Sequence, residues 1–351
     1  MMTSDAITRA FRQWLDGDDA AEETVRRLAD AEAWPAMPLG SATTRRLIAL
    51  AHDALSRDPN RAVWISRLAI RAAKAADDAP LVDEGDAWRE YAAALLEVGD
   101  YEDAQVAVQR ARMVYRVAGG TEHNEAVLGA VEGRILHELG DSLKGLQRID
   151  ESARTLLRLN DKKTYVRVRS IYAAVLFNLC RYREAADTYA AMVDDYDTET
   201  LAHAVLVIGR CAVKLGEIER ARQCFETALE MFEELGLRPE IPRVRKGIAE
   251  ILVAHGRVHE AISELYKARA EFLSMQLPVL AALVALDVVD LLLIVGRTSE
   301  IGLLCEACPD RLPPNAAEAF AALRERAGRA CVTEADVQRV RGFLERLPME
   351  A

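Results

Sequence analysis

The chain has 351 residues, of which 51% are apolar, 29% are charged and only 6% are aromatic. Its 45 Lys and Arg against 56 Asp and Glu give a formal net charge of −11, a field that repels phosphate backbones and argues against nucleic acid as a partner. Alanine is abundant while β-branched and aromatic runs are scarce, so the composition favours helices.

The first 34 residues predict two amphipathic helices, which are separated at Asp16-Gly17-Asp18. This segment has no apolar signal-peptide core, because Asp5 and Asp16 lie within it. Helix breakers in the stretch Trp34-Pro35-Ala36-Met37-Pro38-Leu39-Gly40 predict a linker over residues 35–40. We therefore expect residues 1–34 to form a helical pair that lies outside the main array.

A pattern that ends one helix and starts the next recurs seven times between residues 41 and 310. The clearest copies are Gly99-Asp100-Tyr101-Glu102-Asp103-Ala104, Cys180-Arg181-Tyr182-Arg183-Glu184-Ala185, Gly216-Glu217-Ile218-Glu219-Arg220-Ala221 and Gly256-Arg257-Val258-His259-Glu260-Ala261. The last residues of the seven copies stand at 62, 104, 145, 185, 221, 261 and 301, so the spacing is 36 to 42 residues. Each copy lies between two apolar runs of helical period, which predicts a repeated helical hairpin.

Towards the C-terminus, the apolar segment Pro278–Val295 is short for a membrane span and contains Asp287 and Asp290. It therefore predicts a buried helix, and no membrane association is expected. Beyond the array, Ala316–Arg329 and Glu334–Leu347 predict two capping helices within residues 311–351. Thr333-Glu334-Ala335-Asp336 is typical of the N-terminal cap of the second of these helices.

Cys305-Glu306-Ala307-Cys308 has the spacing of redox and zinc motifs. Two further zinc ligands are missing from the sequence nearby, and a position late in a helix does not favour a thiolate. We interpret the pair as packing residues of the last repeat, and a redox or metal role stays the alternative. The six cysteines follow no disulfide-framework spacing, so reduced thiols and a cytoplasmic location are expected.

The sequence offers little catalytic chemistry. Gly140–Gly145 lacks the Lys-Ser/Thr of a phosphate loop, and His137-Glu138 has no second His at the spacing of a zinc protease. His255 and His259 are four residues apart but lie across a turn that contains Gly256. We therefore expect a protein that is not an enzyme and that requires neither a metal nor a cofactor.

These repeats resemble the tetratricopeptide repeat, in which small residues allow the two helices of a hairpin to pack closely. The small position of the first helix is occupied by Ala92, Gly133, Ala173, Gly209 and Ala249. The small positions of the second helix are occupied by Ala104, Ala111, Gly145, Ser152, Ala185, Ala221, Ala228, Ala261 and Ala268. Trp88, Tyr101 and Tyr182 stand at the aromatic positions of the family, whereas the spacing near 40 exceeds its usual 34 residues.

The resemblance implies an all-α fold, a right-handed superhelical solenoid of about seven hairpins over residues 41–310. It also implies that the first helix of each hairpin lines a concave groove where ligands bind. The groove residues carried over from the family pattern are Arg89, Arg134, His137, Arg167, Asn178, His203, Arg210, Lys214, Arg243 and Lys246, with Asp287 and Asp290 on the last such helix. The middle of this groove is basic, which either attracts an acidic segment or is an ordinary solvated helical face.

The sequence therefore predicts an interaction module, an adaptor or regulator that binds a peptide or protein segment in the groove. The basic residues of the groove favour an acidic segment. The alternative is a regulatory repeat protein that senses a ligand or signal peptide and acts on a separate effector. The clamp of chaperone-binding relatives is not matched, because Ala93, Val131 and Arg134 occupy its asparagine positions. The residue usage suggests a bacterial protein from a GC-rich genome.

Overall fold

A computed structural model describes residues 4–17, 19–30, 40–55, 58–76, 78–275, 277–306, 314–328 and 332–344. Residues 35–39 of the predicted linker and Cys308 lie outside these ranges. All regular elements within the ranges are helical, so the predicted all-α fold class is confirmed. The chain divides into two compact units, Met1–Val168 and Arg169–Ala351, which we call unit 1 and unit 2.

Unit 1 contains α1 (Ser4–Leu15), α2 (Glu22–Asp30), α3 (Ser41–Ala54), α4 (Pro59–Ala75), α5 (Leu81–Glu97), α6 (Tyr101–Ala118), α7 (Glu122–Glu138) and α8 (Ser142–Arg158). Helix α9 (Lys162–Asn178) begins in unit 1 and ends in unit 2. Unit 2 continues with α10 (Tyr182–Ala190), α11 (Thr198–Lys214), α12 (Ile218–Glu234), α13 (Ile241–Ala254), α14 (Val258–Ser274), α15 (Pro278–Ile294), α16 (Thr298–Glu306), α17 (Pro314–Gly328) and α18 (Glu334–Leu344). Short 3-10 turns lie at Asp19–Ala21, Val193–Asp195 and Arg238–Glu240.

The repeated pattern forms the turn inside each hairpin, as the sequence predicts. Gly216 ends α11 in the left-handed conformation (φ 74°), and the next amide, Glu217 N, donates to Ala212 O at 2.9 Å. Cys180 adopts the same conformation (φ 59°) in place of glycine after α9. This closing turn needs a positive φ, and six of the seven copies have it, at Gly99, Gly140, Cys180, Gly216, Gly256 and Gly296. Arg57 of the diverged first copy lies outside the described residues.

Small residues allow the two helices of a hairpin to approach at backbone distance. A methyl group added to Gly133 on α7 would meet Gly145 O of α8 at 2.7 Å, and one added to Gly145 would meet Gly133 O at 2.5 Å. Ala104, Ala185 and Ala221 at equivalent positions are fully buried. The small positions quoted for the repeat are therefore the helix crossings.

Both ends of the chain share apolar contacts with the adjoining hairpins. The Trp14 ring of α1 lies 5.4 Å from the Trp64 ring of α4, measured between centroids. At the other end, Phe320 of α17 and Val337 of α18 join the apolar cluster of α15. Eleven of the 17 residues of α15 are buried, while Ile294 at its end is 69% exposed. None of the helices in the described ranges has the length and apolar character of a membrane span.

Candidate binding face

We call the first helix of each hairpin helix A, and the surface formed by the outward positions of successive A helices within one unit the helix-A face. In unit 1 the A helices are α3, α5 and α7, in unit 2 they are α11, α13 and α15, and α9 belongs partly to each unit. The structure separates the ten predicted groove residues between the units. Unit 1 holds Arg89, Arg134, His137 and Arg167, whereas unit 2 holds Asn178, His203, Arg210, Lys214, Arg243 and Lys246.

The helix-A face of unit 1 is crossed by a continuous polar network. His52 Nδ1 lies 3.1 Å from Glu90 Oε2, and the Arg89 guanidinium binds both Glu90 (3.0 Å) and Asp86 (2.6 Å). The Tyr115 hydroxyl donates to Asp86 at 2.7 Å. Both carboxylates of this network are therefore engaged by neighbouring side chains.

The electrostatics of the network agree with its geometry. Burial would lower the pKa of Arg89, but the charges of Tyr115, Glu90 and Asp86 outweigh it and raise that pKa. Burial would raise the pKa of Glu90, but hydrogen bonding to His52 and the charge of Arg89 lower it. Both groups are ionised because each stabilises the other.

The remaining predicted residues of unit 1 are also engaged. Arg134 binds Glu97 at 2.7 Å, and His137 Nδ1 lies 2.9 Å from Ser142 Oγ. Arg167 lies 3.3 Å from His52 Nε2, which connects α9 to the network on α3. The four predicted residues of unit 1 therefore act within the fold.

The helix-A face of unit 2 contains a cavity of about 290 Å³. Its floor is apolar and is formed by Leu206, Val207, Phe272, Leu280, Leu283 and Val284. Its rim carries four of the predicted residues, His203, Arg210, Arg243 and Lys246, together with Glu250. Four predicted groove residues from two A helices thus converge on one apolar depression.

The cations of the rim, Arg210, Arg243 and Lys246, are partly exposed and contact neighbouring side chains. Arg243 lies 3.2 Å and His203 3.7 Å from the same Glu240 carboxylate, and Lys246 lies 2.7 Å from Asp287. Arg210 is exposed and stacks 5.0 Å from the Phe177 ring centroid. The cations of these pairs are partly exposed, so an incoming carboxylate can contact them from the solvent side while their present partners stay in place.

A second cavity of about 360 Å³ lies beside the first, and Lys246 and Glu250 line both. Its charged lining is completed by Lys214, Asp287 and Asp290. Lys214 lies 3.4 Å from Glu250. Asn178 is exposed at the end of α9 and lines neither cavity.

The sequence reasoning placed Asp287 on a groove-lining helix, but it missed the apolar floor, Glu240 and the pairing of the cations with carboxylates. The floor residues have the same helical period as core residues, so no local signal separates them. The carboxylates did leave a signal, because Glu240, Glu250 and Asp287 follow their cationic partners by about one repeat length. Opposite charges at that spacing indicate contacts between neighbouring A helices.

A larger cavity of about 790 Å³ lies in unit 1 between α6, α7 and α8, and its charges are internally matched. Arg112 binds Glu132 at 2.7 Å, and Arg148 binds Glu125 at 2.6 Å and Glu132 at 2.7 Å. Burial would raise the pKa of Glu132, but its hydrogen bonds to the two arginines lower it. These ion pairs join the three helices, and the cavity offers no excess charge to a ligand.

Chemically reactive groups are sparse over the part of the chain that the structure describes. There, no three His, Cys, Asp or Glu side chains are grouped as a metal site requires. Cys305 is buried late in α16, and burial raises the pKa of its thiol to about 11, so it is protonated at neutral pH. Its predicted companion Cys308 lies outside the described residues.

Comparison with known families identifies the repeat in the sequence. A profile described as Tetratricopeptide repeat matches residues 202–234, which span α11 and α12. No curated protein matches the chain in sequence. The matched segment contains His203 and Arg210 of the cavity rim.

Several solved structures share the fold at low sequence identity. A Rap protein complexed with competence and sporulation factor has a TM-score of 0.52 and 10% identity, over 85% of this chain and 89% of its own. The Rap conjugation gene regulator of a plasmid, in complex with a Phr peptide, has a TM-score of 0.54 and 12% identity over 85% and 74%. Aspartyl phosphate phosphatase F from Bacillus subtilis has a TM-score of 0.52 and 12% identity over 100% and 97%.

Proposed function

We propose that this chain, a member of the tetratricopeptide-repeat family, is a non-enzymatic interaction module that binds an acidic, partly apolar peptide or protein segment on the helix-A face of unit 2. The observation that carries the proposal is the cavity whose apolar floor is rimmed by Arg210, Arg243 and Lys246. Apolar side chains of the segment fill the cavity, while its carboxylates bind the rim.

The two units differ in a way that favours unit 2 as the binding surface. In unit 1 the Arg89 side chain is 16% exposed and is fixed by two carboxylates. In unit 2 the Arg243 and Lys246 side chains are 38% and 37% exposed. These two rim cations are therefore more accessible to a ligand carboxylate than Arg89 is.

The similar structure of a gene regulator with a bound Phr peptide supports the capacity of this fold to hold a peptide. The same likeness favours a second candidate, a regulator that senses a signal peptide and acts on a separate effector. The two candidates differ in ligand size and response. A sensor should bind a free short peptide and change its radius of gyration in small-angle scattering, whereas an adaptor should bind a segment within a folded partner without that change.

The test is a selection of the full chain against a displayed library of random peptides. We expect the enriched peptides to combine acidic and large apolar residues. The double variant Arg243→Glu and Lys246→Glu should weaken the binding of an enriched peptide by at least about tenfold, because two attractive charges become repulsive.

The matched control carries the same charge change on α12, at Arg220→Glu and Arg222→Glu, which are half-exposed and line neither cavity of the binding face. This control should bind the enriched peptide like the wild type. Enrichment of neutral or basic peptides, or equal loss in both double variants, would overturn the proposal.

A further inference from the structure

The C-terminal helix α18 contributes a charge to the binding face without lining either cavity. Val337 and Val340 anchor α18 in the apolar cluster of α15. The helix is capped as the sequence predicts, with Thr333 N donating to Asp336 Oδ2 at 3.0 Å. From this anchored helix, Arg341 extends to α15.

The Arg341 guanidinium binds two carboxylates of the second cavity. One nitrogen lies 2.6 Å from Asp287 Oδ1 and the other 2.7 Å from Asp290 Oδ2. The side chain of Arg341 is only 17% exposed, and those of its partners are 20% and 29% exposed. A largely buried guanidinium that bridges two carboxylates in this way is held firmly.

Arg341 also shares a carboxylate with the rim cation Lys246. The Lys246 ammonium lies 2.7 Å from Asp287 Oδ2, so one carboxylate is shared between the α18 arginine and the rim lysine. Burial and the nearby Asp287 raise the pKa of Asp290, although Arg341 lowers it. The two aspartates therefore crowd each other and depend on the arginine for compensation.

The charge count around the two cavities shows what Arg341 changes. Three carboxylates line them, Glu250, Asp287 and Asp290, and a fourth, Glu240, lies beside Arg243. The cations of the A helices are Arg210, Lys214, Arg243 and Lys246, which only balance these four. Arg341 supplies the excess positive charge.

We propose that Arg341 of the C-terminal helix is the specificity-determining residue that makes this face prefer acidic over basic segments. The inference rests on the proposed function of the same face and adds the source of its charge preference. Without Arg341, Asp287 and Asp290 draw Lys246 away from the first cavity. The second cavity then becomes a site for a cationic side chain.

The experiment compares the wild type and Arg341→Gln with two labelled probes, a short peptide of alternating Glu and Leu and its counterpart of alternating Arg and Leu. In the variant, the affinity for the acidic probe should fall about three- to tenfold, the effect of one unit charge in a partly hydrated groove. The affinity for the basic probe should rise by a similar factor. Arg324→Gln, which removes an exposed arginine from α17, should change neither affinity.

Two further variants separate charge from folding. Arg341→Lys keeps the charge and should keep the acidic preference, even where melting shows a loosened α18. The triple variant Arg341→Gln, Asp287→Asn and Asp290→Asn removes the arginine and both aspartates, and should restore the acidic preference. The inference is overturned if Arg341→Lys loses the preference for the acidic probe. It is also overturned if the triple variant does not regain that preference.

The two proposals fail in distinguishable ways. The proposed function is contradicted if the wild type and the Arg243→Glu, Lys246→Glu variant bind the acidic probe equally well. The basic probe tests the inference independently of that result, because its binding site is created by the loss of Arg341. Unchanged binding of the basic probe to Arg341→Gln overturns the inference, whatever the acidic probe does.

Discussion

At the scale of single residues, two glycines allow one phenylalanine to organise the core beneath the binding face. Phe225 of α12 is fully buried between Gly209 of α11 and Gly247 of α13. A methyl group on Gly247 would lie 2.3 Å from the Phe225 ring, and one on Gly209 would lie 2.8 Å from it. Neither the ring nor the helices can move freely, because the ring is packed from both sides.

We expect Gly247→Ala to lower the free energy of unfolding by about 1–3 kcal/mol, since the added methyl forces the Phe225 ring or a helix to shift. Denaturant unfolding followed by circular dichroism measures the change. Gly302→Ala is the control, because Gly302 is also helical and an added methyl there meets nothing within 4 Å. It should be neutral or stabilising, and equal destabilisation by both substitutions would show that packing at Phe225 is not the cause.

A second residue-scale effect concerns acid stability. Asp161, before α9, has its pKa lowered from 3.8 to about 2, first by hydrogen bonds from the Thr164 side chain and backbone and then by His123. Its folded pKa is below its unfolded one, so its contribution is complete above pH 3.8 and is lost as the pH falls towards 2.

We therefore expect Asp161→Asn to remove about 1–2 kcal/mol of stability at neutral pH and to flatten the decline of stability below pH 4, after allowance for solvent screening. Urea unfolding at a series of pH values between 2 and 7 measures both effects. Asp103→Asn on the exposed surface of α6 is the control and should leave the decline unchanged. The same steep decline in Asp161→Asn would contradict this assignment.

The sequence predicted the small residues well, because their requirement is local. Gly133 and Gly145 are small since two backbones touch there, and this need recurs in every hairpin. The role of Gly247 was not predicted. It depends on Phe225, which lies on the preceding helix of a neighbouring hairpin, and no rule of the repeat requires that aromatic residue.

At the scale of helices, neighbouring A helices are joined by ion pairs one repeat apart. Arg45 binds Asp83, His52 binds Glu90 and His123 binds Asp161, and each pair is separated by 38 residues. Arg134 and Glu97 are 37 residues apart. The repeat period was read from the recurring turn pattern, so this second, electrostatic use of the same period was missed.

We expect Glu90→Gln to destabilise the protein by about 2–4 kcal/mol, because it leaves the buried Arg89 with one carboxylate instead of two. The effect should appear in denaturant unfolding. Glu102→Gln, at an exposed position of α6, removes the same charge from the surface and should shift stability by less than about 0.5 kcal/mol. Similar shifts in the two variants would show that the network on α3 and α5 does not stabilise the fold.

At the scale of the whole molecule, the same repeat serves two different purposes. In unit 1 the helix-A face satisfies its own charges through a network that includes Arg89, Glu90 and His52. In unit 2 the corresponding face keeps a cationic rim above an apolar cavity, within a chain of net charge −11. The sequence reasoning predicted one basic groove because it did not use the spacing of opposite charges, which indicates the cations that are paired across repeats.

Hydrogen exchange of the full chain, with and without a selected acidic peptide, tests the binding face most directly. We expect the peptide to slow amide exchange in α11, α13 and α15, because it covers the cavity that these helices line. Exchange in α5 and α7 should be unchanged. Protection of α5 and α7 in place of the three unit 2 helices would contradict the account.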